Sequence, residues 1–177
     1  ASKTVTYDDV APVIAIDGTL EGDNKVNSSE DGSIVVTGTV TVSGVHTDLI
    51  GKTVNVTLTD ADSLSVSTTA VVLSTGKFVA EAVDIGAFKD GNITVAANVS
   101  DTAGNSTSAS PKTITLDNAA PAITIAVTSA GSVINAAEDT DSAGVVKVNA
   151  ENGANWSVTL TGQSGQVVKT GSGNASD

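Results

Sequence analysis

The chain repeats itself. Residues 3–12 read KTVTYDDVAP and residues 112–121 read KTITLDNAAP, so Lys, Thr, Thr, Asp, Ala and Pro recur 109 positions apart. Val26-Asn27-Ser28-Ser29-Glu30 matches Ile134-Asn135-Ala136-Ala137-Glu138 at a spacing of 108. Gly51 to Thr59 (GKTVNVTLT) matches Gly153 to Thr161 (GANWSVTLT) at 102. Three anchors in one order define a tandem array, in which each unit builds its own core. The phase predicts that 1–7 is the last strand of a preceding repeat, 8–117 a complete repeat, and 118–177 the front part of the next. That second repeat lacks equivalents of roughly Gly76 to Asp117, so it is expected not to close its core alone. The chain reads as a segment of something longer.

Within the unit the pattern is that of short strands. There are 26 Val and 24 Thr among 177 residues. Both are β-branched and suit a pleated, half-buried surface. Period-two alternation marks strands at Val13–Ile16, Ser33–Val42 (the longest), Thr53–Thr59, Thr69–Leu73, Lys77–Val83, Ile93–Val99 and Lys112–Leu116. Some seven strands in such a unit predict an all-β fold, an immunoglobulin-like antiparallel β-sandwich, complete once and partial once in tandem. The segment Asp84–Asp90 (DIGAFKD) is less strand-like, and Phe88 is placed as a plug at one end of the core. The core is built from Val and Ile, with two Phe, one Tyr, one Trp and no Cys in the whole chain. Such a core is thin and has no disulfide to staple it. A bound metal ion would add stability by mass action.

Charge narrows the partners. Twenty acidic residues against eight Lys and no Arg give a net charge of −12. Nucleic acid is a poor partner for such a surface, and metal cations are a good one. The absence of Cys excludes zinc–thiolate and iron–sulfur sites and a thiol nucleophile. No run of 18 apolar residues occurs, so membrane insertion by a helix is not expected. An enzyme is not expected either. His46 is the sole histidine, with Asp48 nearby, but no nucleophile-elbow motif accompanies it. A glycosidase site would sit among stacking aromatics that this chain lacks.

The run Asp101-Thr102-Ala103-Gly104-Asn105, then Asp117-Asn118-Ala119-Ala120-Pro121, then Asn135-Ala136-Ala137-Glu138, resembles the tandem bacterial Ig-like repeats of giant surface adhesins. These are type I-secreted, biofilm- and host-cell-binding proteins that include the extender regions of RTX adhesins. The resemblance covers the whole chain. It implies a secreted protein at the bacterial cell surface, with calcium between consecutive repeats stiffening a long rod. It places any contact with a host surface or polysaccharide in other parts of the protein.

Calcium takes six to eight oxygen ligands, largely carboxylates and carbonyls. Asp101 in the loop before the last strand, Asp117 at the exit of that strand, and Glu138 early in the next repeat are the expected ligands. Asp8 and Glu30 are their N-terminal counterparts. Asn105, Asn118 and Asp9 are weaker candidates. The plain alternative is that Asp, Asn and Gly simply form turns. Asp139 to Gly144 and Asp60-Ala61-Asp62 are read as solvated loops, and Trp156 as a core residue. The function expected is a calcium-rigidified extender, with neighbouring repeats of the same chain and Ca2+ as partners. The competing readings are a module binding polysaccharide or a host protein, and an S-layer-type envelope protein that assembles laterally.

Overall fold

The structure is a computed structural model that describes residues 2–42, 47–127, 146–162, 164–165 and 167–174. The chain divides into two compact units, 1–118 and 119–177.

The first unit is a two-sheet β-sandwich. Its strands are β1 (Val13–Ile16), β2 (Lys25–Val26), β3 (Thr37–Thr41), β4 (Thr53–Thr59), β5 (Ser65–Val71), β6 (Lys77–Val79), β7 (Gly91–Ser100), β8 (Ser106–Ser108) and β9 (Lys112–Leu116). The smaller sheet has the order β1-β3-β6, and the larger β2-β9-β7-β4-β5, with β8 paired to β7. All pairings in this unit are antiparallel except β2 with β9, which run parallel through Lys25↔Thr115 and Val26↔Leu116.

Alternation decides which face is buried. Val54, Val56 and Leu58 on β4 are fully buried, as are Ile93, Val95, Ala97 and Val99 on β7 and Ile114 and Leu116 on β9. The Thr and Asn residues between them face outward. Phe78 on β6 fills the middle of the core and Phe88 joins it from a loop. Gly38 makes room for Phe78. A Cβ there would stand 2.6 Å from the ring and 2.2 Å from the Ala15 carbonyl oxygen.

The long strand expected over Ser33–Val42 is interrupted. Ile34 pairs with Val83 as an isolated bridge, one residue out of step with Thr37↔Val79. Between them the Val35 N–H donates to Glu21 Oε1 at 3.0 Å rather than to a neighbouring strand. This slip is a bulge, and it leaves β7 as the longest strand of the unit. Residues 2–12, whose Lys3–Tyr7 repeat the sequence of β9, have no strand assignment and are exposed up to Ala11.

The second unit consists, among the described residues, of two hairpin-like pairs. Strand β10 (Ile123–Val127) pairs with β11 (Val146–Ala150), and β12 (Asn155–Thr161) with β13 (Val167–Asn174), all antiparallel. None of residues 119–127, 146–162, 164–165 and 170–174 is buried. Trp156, Val158 and Leu160 on β12 match Val54, Val56 and Leu58 in sequence, yet they are only half-buried. In the first unit β4 lies between β5 and β7. Here β12 has β13 as its one described neighbour. Trp156 lies over two glycines of β13, with its ring 3.0 Å from where a Gly173 Cβ would be.

Candidate cation sites at the two ends of the first unit

Antiparallel geometry sorts the acidic residues into two groups. Gly91 at the start of β7 pairs with Leu116 at the end of β9. Asp101 follows the far end of β7. At about 3.4 Å per residue, the ten residues of β7 separate the two ends by roughly 30 Å. The expectation that Asp101 and Asp117 of one repeat meet is therefore wrong. The loop before β9 lies where that strand begins, and its exit lies a strand-length away.

At the Asp101 end, the carboxylate belongs to its own loop. Asp101 is buried. Its Oδ1 accepts the Gly104 N–H at 2.8 Å and the Asn105 N–H at 2.9 Å, and its Oδ2 accepts Asn105 Nδ2 at 2.9 Å. Its own N–H donates to the Asn105 carbonyl at 3.0 Å, which closes the turn. The Asn105 side-chain amide first, then the backbone N–H groups, hold the Asp101 carboxyl below the usual range against the opposing effect of burial. Asn105 Nδ2 also donates to the Asp8 carbonyl oxygen at 3.2 Å, so Asp8 joins this end through its backbone. The Asp8 carboxylate accepts the Val10 N–H at 3.1 Å, and Asp9 accepts the Tyr7 hydroxyl at 3.1 Å.

Asp60, in the β4–β5 loop, repeats the device. Its Oδ1 accepts the Asp62 and Leu64 N–H groups, both at 2.9 Å, and its N–H donates to the Leu64 carbonyl at 3.0 Å. Oδ2 accepts the Lys89 N–H at 3.0 Å from another loop. That bond leads in lowering its carboxyl below the usual range, against the opposing effect of burial. Asp60 is thus a buried staple rather than a solvated loop residue. Asp62 is the exposed partner, holding Lys89 Nζ at 3.2 Å.

At the other end, the Asp117 N–H donates to the Val26 carbonyl at 2.9 Å as β9 leaves the sheet. Glu30 closes a local turn, its Oε2 accepting the Asn27 N–H at 3.1 Å and Asn27 Nδ2 at 2.7 Å. Asn118 reaches further. Its N–H donates to Asp90 Oδ1 at 3.1 Å, and its Nδ2 donates to Asp31 Oδ2 at 2.8 Å. Its Oδ1 is buried with no hydrogen-bond partner. Asp84 Oδ1 accepts the Gly86 N–H at 2.8 Å. Asp31 Oδ2 and Asp84 Oδ1 both lie 3.2 Å from the point where a Gly86 Cβ would stand.

Asp31, Asp84, Asp90 and Gly86 carry no motif, because each sits in a loop that only the topology brings to this end. The one sequence signal was the break in alternation over Asp84–Asp90. Glu138, the third expected ligand, lies outside the described residues, as do Asp139, Asp141 and His46.

Among the described residues, no three His, Cys, Asp or Glu side chains stand as a ready-made metal group. The donor chemistry at the Asn118 end nevertheless fits a hard cation. It gathers the carboxylates of Asp31, Asp84 and Asp90 beside a buried Asn118 amide oxygen that lacks a partner, with one N–H donated to each carboxylate. The Asp101 end fits less well, since its carboxylate is engaged by three N–H donors.

Fold and ends together describe an all-β sandwich unit with acidic termini. No protein-family model matches the sequence, and no curated protein matches it. Among solved structures, the chain is similar to a tetra-tandem repeat from the extending region of a large adhesion protein, at 22% identity and a TM-score of 0.47, over 93% of this chain and 39% of that one. It is also similar to a Ca2+-stabilized adhesin that helps an Antarctic bacterium reach out and bind ice, at 18% identity and a TM-score of 0.42, over 95% of this chain and 49% of that one. The chain thus spans less than half the length of either.

Proposed function

We propose that the chain is a stretch of immunoglobulin-like extender repeats from a secreted bacterial cell-surface adhesin, stiffened by calcium and serving adhesion or biofilm formation. Its work is mechanical rather than catalytic. Acidic side chains gathered at a repeat end repel one another without cations and permit bending. With calcium the same oxygens become ligands and the end becomes rigid. The sequence repeat, the sandwich fold and the net charge of −12 support this reading. The observation that carries it is the buried Asn118 Oδ1 without a hydrogen-bond partner, at an end of the unit that gathers Asp31, Asp84 and Asp90. Thermal unfolding tests it. A ligand at 100 times its dissociation constant stabilises by about 2.7 kcal/mol, a rise on the order of 10 °C for a unit of this size. Calcium is expected to raise the melting temperature and chelator to reverse it. Equal melting temperatures in saturating calcium and in chelator would sink the proposal.

A further inference from the structure

We infer that the outward face of the larger sheet is a lateral contact surface for a second copy of this chain, made of hydroxyl and amide groups and free of charge. The inference does not depend on calcium.

Charge and hydroxyl groups are sorted in the first unit. None of its strands contains Asp or Glu, so its carboxylates stand in the loops and the N-terminal segment. The outward positions of β4 are Thr53, Asn55, Thr57 and Thr59. Those of β5, β7 and β9 are again Ser, Thr and Asn, with Val71 and Ala96 as the exceptions. No outward side chain on these four strands is charged, and Lys25 on β2 marks the rim. The smaller sheet differs, since its outward Thr39 stands opposite Lys77.

Three properties lower the cost of covering this face. Its polar groups already pair sideways: Asn55 Nδ2 donates to Asn98 Oδ1 at 3.2 Å, and the Thr57 and Ser67 hydroxyls share a hydrogen bond of 3.0 Å. Groups paired in this way lose less on leaving water. Thr is β-branched and gives up little rotamer freedom. No charge has to be desolvated.

The charge distribution selects a second copy as the occupant. Two molecules of net charge −12 repel through their loops, whereas this face meets its like with no charge on either side. A two-fold contact needs a self-complementary surface. Hydroxyl groups supply one, because each both donates and accepts. The second unit keeps the pattern. Asn155, Ser157, Thr159 and Thr161 are exposed on β12, and Asn174 Nδ2 donates across the strands to Asn155 Oδ1 at 3.1 Å. Four strands about 4.8 Å apart, some seven residues long at about 3.4 Å each, cover roughly 450 Å². That is near half of the about 800 Å² that each partner gives to a standard interface, so the contact is weak and forms at high concentration.

The test is sedimentation equilibrium of the whole chain in chelator, over a concentration series reaching the millimolar range. The average mass is expected to rise toward that of a dimer. The rise should be steeper in about 1 M than in about 0.01 M sodium chloride, because the Debye length falls from about 30 Å to about 3 Å and the loops repel less. Asn55→Lys and Thr94→Lys each place a charge in the middle of the face and should weaken association about tenfold or more. Thr39→Lys makes the same change in net charge on the smaller sheet and should associate as the wild type does. Far-UV circular dichroism checks that each variant folds, and if one face variant does not, the other decides. A wild type that stays monomeric throughout would overturn the inference. So would association that the face variants leave unchanged, or that Thr39→Lys weakens equally.

Discussion

Asp60 and Asp101 perform one task in two loops at opposite ends of the sandwich. Each ends a long strand, accepts the N–H four residues on, and donates its own N–H to the carbonyl of that residue. Both carboxyls are held below their usual range, so the sign of their pH dependence follows. A depressed folded-state value contributes stability that is fully present above the unfolded value. It is lost as pH falls through the folded one. Asp101→Asn should therefore melt below the wild type at neutral pH, and the gap should close as the pH drops below the ordinary carboxylate range. Melting curves across that range decide it, and a gap independent of pH would contradict the staple. In sequence, Asp101-Thr102-Ala103-Gly104-Asn105 is legible as a turn. Which atoms occupy its carboxylate is not, because that depends on a loop closing over it. Asp31 and Asp84 were harder still, since their meeting depends on strand order.

At the scale of elements, β1, β4 and β9 fall where they are expected. In β4 and β9 the apolar residues stand two apart with polar neighbours, so period alone suffices, whereas β1 is a short apolar run bounded by Pro12 and Asp17-Gly18. The alternation over 33–42 does not become one strand, because Glu21 takes the Val35 N–H and breaks the ladder. No local pattern announces a partner 14 residues away. It also missed the parallel pairing of β2, a strand of two residues whose neighbour is far along the chain. The core is as expected, mostly Val and Ile, with two aromatics among them. Phe78 is fully buried and Phe88 nearly so. Phe78→Ala is expected to cost about 3–5 kcal/mol. A denaturant titration measures it. A loss under about 1 kcal/mol would show that the core closes without the ring.

On the scale of the whole molecule, the chain is two compact units of unequal character. The first buries a continuous core. In the second, Ile123, Ile125 and Val127 stay about half exposed and Trp156, Val158 and Leu160 only half-buried. The sequence repeat itself is plain, because residues 3–12 and 112–121 share Lys, Thr, Thr, Asp, Ala and Pro at matching positions. It misled at the ends, because strand direction, not sequence distance, decides which acidic residues share an end. The central claim is that calcium stiffens the array. Small-angle scattering of the whole chain, in saturating calcium and then in chelator, tests it most directly. A larger maximum dimension and a narrower distance distribution are expected in calcium. Superimposable profiles in the two conditions, with calcium shown to be bound, would contradict it.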